Sequence, residues 1–147
     1  KTGLSVERLK LEITESTIMA STDLAAQVLA ELRVKGVKVL LDDFGTGYSS
    51  LSYLHRFPLD TLKIDRSFIR HMGVRQHNTE IVQTIIALAR NLKLDVIAEG
   101  VENSAQLKQL KDLACDLAQG YLFAPALSAD EAETWLKEQV QPKRSLG

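Results

Sequence analysis

The sequence predicts an α/β fold built on a parallel sheet, and three observations predict it. Short apolar runs of strand length alternate with longer segments of helical period. Each of five such runs ends in a polar or charged group: Glu12, Asp42 with Asp43, Lys63 with Asp65, Glu99 and Gln119. The chain of 147 residues is 45% hydrophobic and 25% charged, the make-up of one globular domain with a real core. Strand–helix repeats give parallel sheets, and in such folds sites gather at the carboxyl ends of the strands, in open sheets and barrels alike.

The elements follow in order. Leu9-Lys10-Leu11-Glu12-Ile13-Thr14 alternates as a strand does, with Leu9, Leu11 and Ile13 on one face and Glu15 and Ser16 at its end. Ser21, Thr22 and Asp23 are good helix starters; Leu24, Val28, Leu29 and Leu32 recur at helical spacing, and Gly36 suits the helix end. Val37 to Leu41 reads as a buried strand ending in Asp42 and Asp43, and Ser49 to Phe57 as a short helix stopped by Pro58. Thr61 to Asp65 is a short alternating strand, followed by an irregular stretch from Arg66 to His77. A long helix capped by Asn78 or Thr79 carries Ile81, Val82, Ile85, Ile86, Leu88 and Leu92. Val96-Ile97-Ala98 is a strand ending in Glu99-Gly100-Val101-Glu102; Asn103 or Ser104 caps a helix with Leu107, Leu110 and Leu113. Leu117-Ala118 leads to Gln119, and a Ser128/Glu131 capping box opens a last helix with Ala132, Trp135, Leu136 and Val140, ended by Pro142.

Asp42-Asp43 is the informative dipeptide. Adjacent carboxylates repel and cost desolvation when partly buried, so they are best tolerated beside a cation. Hard oxygen donors of this kind suit Mg²⁺, Mn²⁺ or Ca²⁺. Asp and Gly are also ordinary turn residues, but five strands delivering a group to one edge outweigh the turn reading.

Composition narrows the function. A net charge of −1 without a long basic run argues against a nucleic-acid polymer as main partner. The single cysteine, Cys115, excludes an internal disulfide framework and a multi-cysteine zinc site. No apolar run is long enough to span a bilayer and no signal peptide is read, so a cytoplasmic location is expected, though a longer parent could be membrane-anchored elsewhere. The start at Lys1, without Met, is that expected of an excised piece. His55, His71 and His77 lack metal-ligand spacing, and Cys115 and Trp135 read as packing residues.

The sequence closely resembles the EAL-domain family, bacterial phosphodiesterases that cleave cyclic di-GMP. The matching motifs, in the family's order, are Leu11-Glu12-Ile13-Thr14-Glu15-Ser16, Asp42-Asp43-Phe44-Gly45-Thr46-Gly47-Tyr48-Ser49-Ser50-Leu51, Leu62-Lys63-Ile64-Asp65-Arg66-Ser67-Phe68-Ile69, Ala98-Glu99-Gly100-Val101-Glu102 and Gln119-Gly120-Tyr121-Leu122-Phe123. The resemblance implies the C-terminal portion of a TIM-like (β/α)8 barrel over residues 1–141, with 142–147 a loose tail. Such barrels need roughly 200 residues or more, and the family's Glu-Ala-Leu segment and an upstream Asn ligand are absent from this stretch.

It further implies hydrolysis of cyclic di-GMP to linear pGpG with Mg²⁺ or Mn²⁺ in a two-metal site. Glu12, Asp42, Asp43 and Glu99 would ligate, Glu99 having a second reading as general base. Lys63 would stabilise anionic charge in the barrel mouth; Gln119 and Asp65 would lie by the substrate; Glu102 would support the site. The loop with Gly45, Thr46 and Gly47, anchored by Glu15, would shape the metal site and take part in dimer-linked regulation. A homodimer or other self-association is expected, as is a sensor or GGDEF (diguanylate-cyclase-like) domain in a parent chain. Ala124-Pro125-Ala126 departs from the family, which carries a basic residue before its proline. The alternative reading is a non-catalytic module that binds cyclic di-GMP or a protein.

Overall fold

In a computed structural model, which describes residues 3–45, 54–73 and 76–140, the polar strand ends meet because of how the sheet is wound. Five parallel strands are described: β1 (Lys10–Thr14), β2 (Lys38–Phe44), β3 (Thr61–Ile64), β4 (Asp95–Glu99) and β5 (Leu117–Gln119). Their spatial order is their chain order, β1-β2-β3-β4-β5, with every neighbouring pair parallel. Parallel crossovers are right-handed, so an order that never reverses keeps the connecting helices on one face. This is the winding of a barrel sector; a doubly wound sheet reverses at its switch point.

The helices are α1 (Glu15–Ala20), α2 (Thr22–Val34), α3 (Arg66–Arg70), α4 (Gln76–Asn91), α5 (Ser104–Asp112) and α6 (Ala129–Val140), and a 3-10 turn spans Val6–Arg8. Two of these correct the sequence reading. Glu15 and Ser16 do not merely end a strand: Thr14 Oγ1 accepts a hydrogen bond from Thr17 N at 3.4 Å and starts α1, which buries Glu15 and Ile18. The stretch after Asp65 is not all irregular: the Asp65 carboxylate accepts from Ser67 N at 2.9 Å and caps α3. Both are short-range caps on helices too brief to show a period.

α2 also turns differently from its expected face. Leu29 is buried and Ala25, Ala26 and Leu32 pack against the core, whereas Leu24 and Val28 are 60% and 44% exposed. Small alanines let the helix lie close, which a count of large apolar residues misses. The helix ends as expected, with Gly36 N donating to Arg33 O and Val37 N to Leu32 O. On β1 only Ile13 of the expected trio packs inward; Leu9 and Leu11 are 41% and 38% exposed, because β1 is the edge strand of the described sheet.

α4 begins at Gln76, ahead of its expected cap, and buries Val82, Ile85, Ile86 and Ala89. Asn103 caps α5 in a full capping box with Gln106. Gln106 is itself buried: its Oε1 accepts from Glu102 N and Asn103 N, and its Nε2 donates to Ile69 O at 3.1 Å, tying α5 to α3. The Ser128/Glu131 box opens α6 as expected, but Leu136 remains 56% exposed. The helix expected from Ser49 lies largely outside the described residues, as do Pro142 and the tail; of its end, Leu54 and Phe57 are buried. Among the described residues no helix is long and apolar enough to cross a membrane.

Gln106→Ala strips partners from two backbone N–H groups and one carbonyl, so it is expected to cost about 2–3 kcal/mol. Asn103→Ala, which removes one cap, is expected to cost about 1 kcal/mol. Urea denaturation of the two variants measures both, and an equal loss would refute the tether to Ile69.

Candidate active site

β2 does not stop before its acids, as the sequence suggested; it runs through Asp42 and Asp43 to Phe44. Side chains of adjacent strand residues point to opposite faces. The pairing with β3 slips between Leu41 and Phe44, and Asp43 takes a left-handed conformation (φ +55°), which breaks that alternation at the two acids. Asp42 Oδ1 accepts from Asp43 N at 2.9 Å.

Lys63 is the centre of the site. It lies on β3, 3% exposed, among neighbours that are all buried. Its ammonium stands 3.0 Å from Glu12 Oε2 on β1, 3.1 Å from Asp42 Oδ1 on β2 and 3.6 Å from Glu99 Oε2 on β4. Burial works against the ammonium, but the hydrogen bonds to Glu12 and Asp42 and the charges of Glu99 and Asp42 outweigh it. The net effect is a pKa raised above the ordinary lysine value. Three carboxylates around one ammonium leave an excess of negative charge at the strand ends.

The donor set suits a hard cation, being all carboxylate oxygens delivered by separate strands to one point. As placed, no three acidic, imidazole or thiol side chains among the described residues enclose an ion; the ammonium occupies the point where the carboxylates converge. Of the other expected site residues, Gln119 sits opposite Glu99 in the β4–β5 register. Glu15 is buried, and its Oε2 accepts from Gly45 N at 3.2 Å, holding the start of the loop; Thr46 and Gly47 lie outside the described residues. Asp65 spends one oxygen on the α3 cap, and Glu102 is exposed with its N–H on Gln106.

Asp65, Glu99, Glu102 and Gln119 also line one cavity of about 830 Å³. Arg66, Arg70 and His71 form another part of its wall and Tyr121 a third. The sequence reading missed these cations and set His71 aside; the signal available was Asp65 followed by a capped turn, which places them at a strand end. His71 Nδ1 lies 2.9 Å from Ser67 O and, facing a carbonyl, donates to it. Cys115 is a packing residue, its thiol donating to Leu117 O and its pKa pushed up by burial.

Sequential parallel winding and a lysine-centred acidic cluster at the carboxyl edge define a barrel-type α/β protein with a polar site at the strand ends. The chain belongs to the EAL domain family, which matches it over residues 1–126. It is 47% identical over 98% of its length to the cyclic di-GMP phosphodiesterase NbdA of Pseudomonas aeruginosa, covering 19% of that protein. The chain thus spans about a fifth of the length of the curated relatives it matches. Among solved structures it resembles the PaMucR phosphodiesterase in complex with c-di-GMP, with a TM-score of 0.85 and 44% identity over 88% of this chain and 52% of that one. It also resembles Klebsiella pneumoniae BlrP1 with manganese and cyclic di-GMP at pH 9.0, with a TM-score of 0.78 and 36% identity over 84% of this chain and 31% of that one. The five-stranded sheet is accordingly a portion of the TIM-like barrel fold of EAL domains.

Lys63→Met leaves the carboxylates without their counter-charge. It is expected to cost about 2 kcal/mol, below the figure for a fully buried pair because Glu12 and Glu99 retain solvent. A raised folded pKa adds stability that is complete below the unfolded lysine value and is lost as pH rises through the folded one. The lead of the unaltered protein over Lys63→Met should therefore shrink above about pH 10.4. Urea titrations across the alkaline range measure it, and a constant lead would remove the charged lysine from the account.

Proposed function

We propose that the complete domain, of which residues 1–141 form the C-terminal part, is a metal-dependent phosphodiesterase that opens cyclic di-GMP to linear pGpG. The observation that carries the reading is the convergence of Glu12, Asp42 and Glu99, from three strands, on the buried Lys63. Family membership supports it, as do the relative named for this activity and the neighbours solved with cyclic di-GMP.

Glu12, Asp42, Asp43 and Glu99 would hold Mg²⁺ or Mn²⁺. When bound, such ions lower the pKa of an attacking water and neutralise charge on the phosphate. Lys63, fixed by its burial, stabilises negative charge that grows on the phosphate oxygens. Glu99, 32% exposed and last on its strand, is placed either to ligate or to take the proton from water. Glu15 positions the loop from Gly45 by holding its first amide. Gln119 and Asp65, on the cavity wall, contact the nucleotide, and Glu102 supports them. In this reading a sensor or diguanylate-cyclase-like domain accompanies the domain in its parent, and the domain self-associates.

In the full-length protein with Mn²⁺, Asp42→Asn and Glu99→Gln are each expected to lower formation of linear dinucleotide at least about a hundredfold, with little change in thermal midpoint. Chromatography of the products measures this. Near-normal turnover in either variant would undo the site assignment, and binding without turnover in the unaltered protein would make it a receptor.

A further inference from the structure

We infer that Gln106 is a positioning residue that acts through Glu99: its amide fastens the exit of β4 to α3 and so keeps Glu99 short of Lys63. The inference rests on the phosphodiesterase reading above and adds what keeps one of the three carboxylates available. Glu12 and Asp42 stand 3.0 and 3.1 Å from the ammonium, within hydrogen-bond reach, whereas Glu99 stands at 3.6 Å, beyond it. A carboxylate that is to ligate an ion or take a proton from water must not be spent on the lysine.

The gap is set from behind the strand ends. The β3–β4 ladder closes at Ile64 and Ala98, one residue before Glu99. Beyond it the β4 exit is tied to the β5 side, with Val101 N donating to Gln119 O at 3.0 Å and Val101 O accepting from Leu122 N at 2.9 Å. Among the described residues no backbone–backbone hydrogen bond joins residues 100–102 to α3; a side chain makes that link. Gln106 Oε1 accepts from Glu102 N at 2.8 Å and from Asn103 N at 3.2 Å, and its Nε2 donates to Ile69 O at 3.1 Å. An amide can accept and donate at once, and at 6% exposure it is sheltered from competing water.

These links close a ring. From Lys63 the chain runs through Asp65, the cap of α3, to Ile69; the Gln106 amide carries the path across to Glu102; and residues 102 to 99 return it to the ammonium. In a closed ring the fastening at one side sets the gap at the other. A Cβ on Gly100 would lie 2.6 Å from Arg66 Cβ, so the β4 exit already abuts the first turn of α3. That contact sets their closest approach, and the amide stops them from separating. Without the amide the exit is free to turn, and opposite charge draws Glu99 onto the ammonium.

The test uses the full-length protein, Mn²⁺-loaded for kinetics and metal-free for stability. Gln106→Met, of similar length but without hydrogen-bonding groups, is expected to lower kcat for cyclic di-GMP at least about tenfold. KM should stay within about twofold, because the displaced group serves the chemical step. Gln106→Asn, an amide one methylene too short to span both ends, should show the same split and serves if Gln106→Met does not fold. Asn103→Ala removes the α5 cap, leaves the amide in place and is expected to keep kcat. An unchanged kcat in the Gln106 variants overturns the inference, as does an equal loss in Asn103→Ala.

A second readout does not need turnover. Glu99→Gln removes the charge drawn to Lys63, so it should lower the metal-free thermal midpoint further in the Gln106-substituted protein than in the unaltered one. The amide bonds neither Glu99 nor Lys63, so separate roles predict equal shifts. Equal shifts overturn the inference even in an active protein. Unequal shifts in a protein without turnover keep the inference and sink the phosphodiesterase.

Discussion

The site depends on one buried ammonium. Glu12, Asp42 and Glu99 carry like charge and arrive from three strands; without a cation among them, their repulsion and partial desolvation would push the strand ends apart. Lys63 offsets this from within the chain. It lies on the strand between those of Asp42 and Glu99, so one side chain reaches acids on both flanks and on β1 beyond. The cluster is thereby gathered in a geometry that a divalent ion can use, with negative charge in excess.

Around that centre the chain uses local devices to set depth and direction. The slip in the β2–β3 register, with Asp43 left-handed, breaks the strict in-and-out alternation at the two consecutive acids. Asp65 ends β3 and starts α3 in the same step, bringing Arg66 and Arg70 to the cavity. Gln106 ties α5 to the end of α3 through Ile69 O, so the wall holding the arginines is braced from behind. On the last strand Gly120 passes so close to Val101 that a Cβ would lie 2.3 Å from its backbone N and O. That approach lets Val101 N donate to Gln119 O and Val101 O accept from Leu122 N, which fixes Gln119 beside Glu99.

How far the sequence could be read varied with the range of the interaction. The β4 strand, α4, the Ser128/Glu131 capping box and a cap at Asn103 or Ser104 followed from period and end signals within a few residues. The brief helices α1 and α3 did not, because their residues show no period and only one cap marks each. The inward face of α2 was misjudged because alanine carries little weight in a hydrophobic pattern yet packs closest. Leu9 and Leu11 looked like core because alternation shows that a strand has an apolar face, not what covers it.

By itself the sequence determined the alternation of strand and helix, the polar group at each strand's end and the family. All three rest on residue order and on interactions a turn or two long. Only the tertiary structure decided that Lys63 is buried, that Glu12, 51 positions away, is its hydrogen-bond partner, and that Arg66 and Arg70 face a cavity shared with Glu99. Those contacts depend on crossover handedness, strand register and a bulge. They join residues far apart in the chain, and no local pattern encodes the meeting.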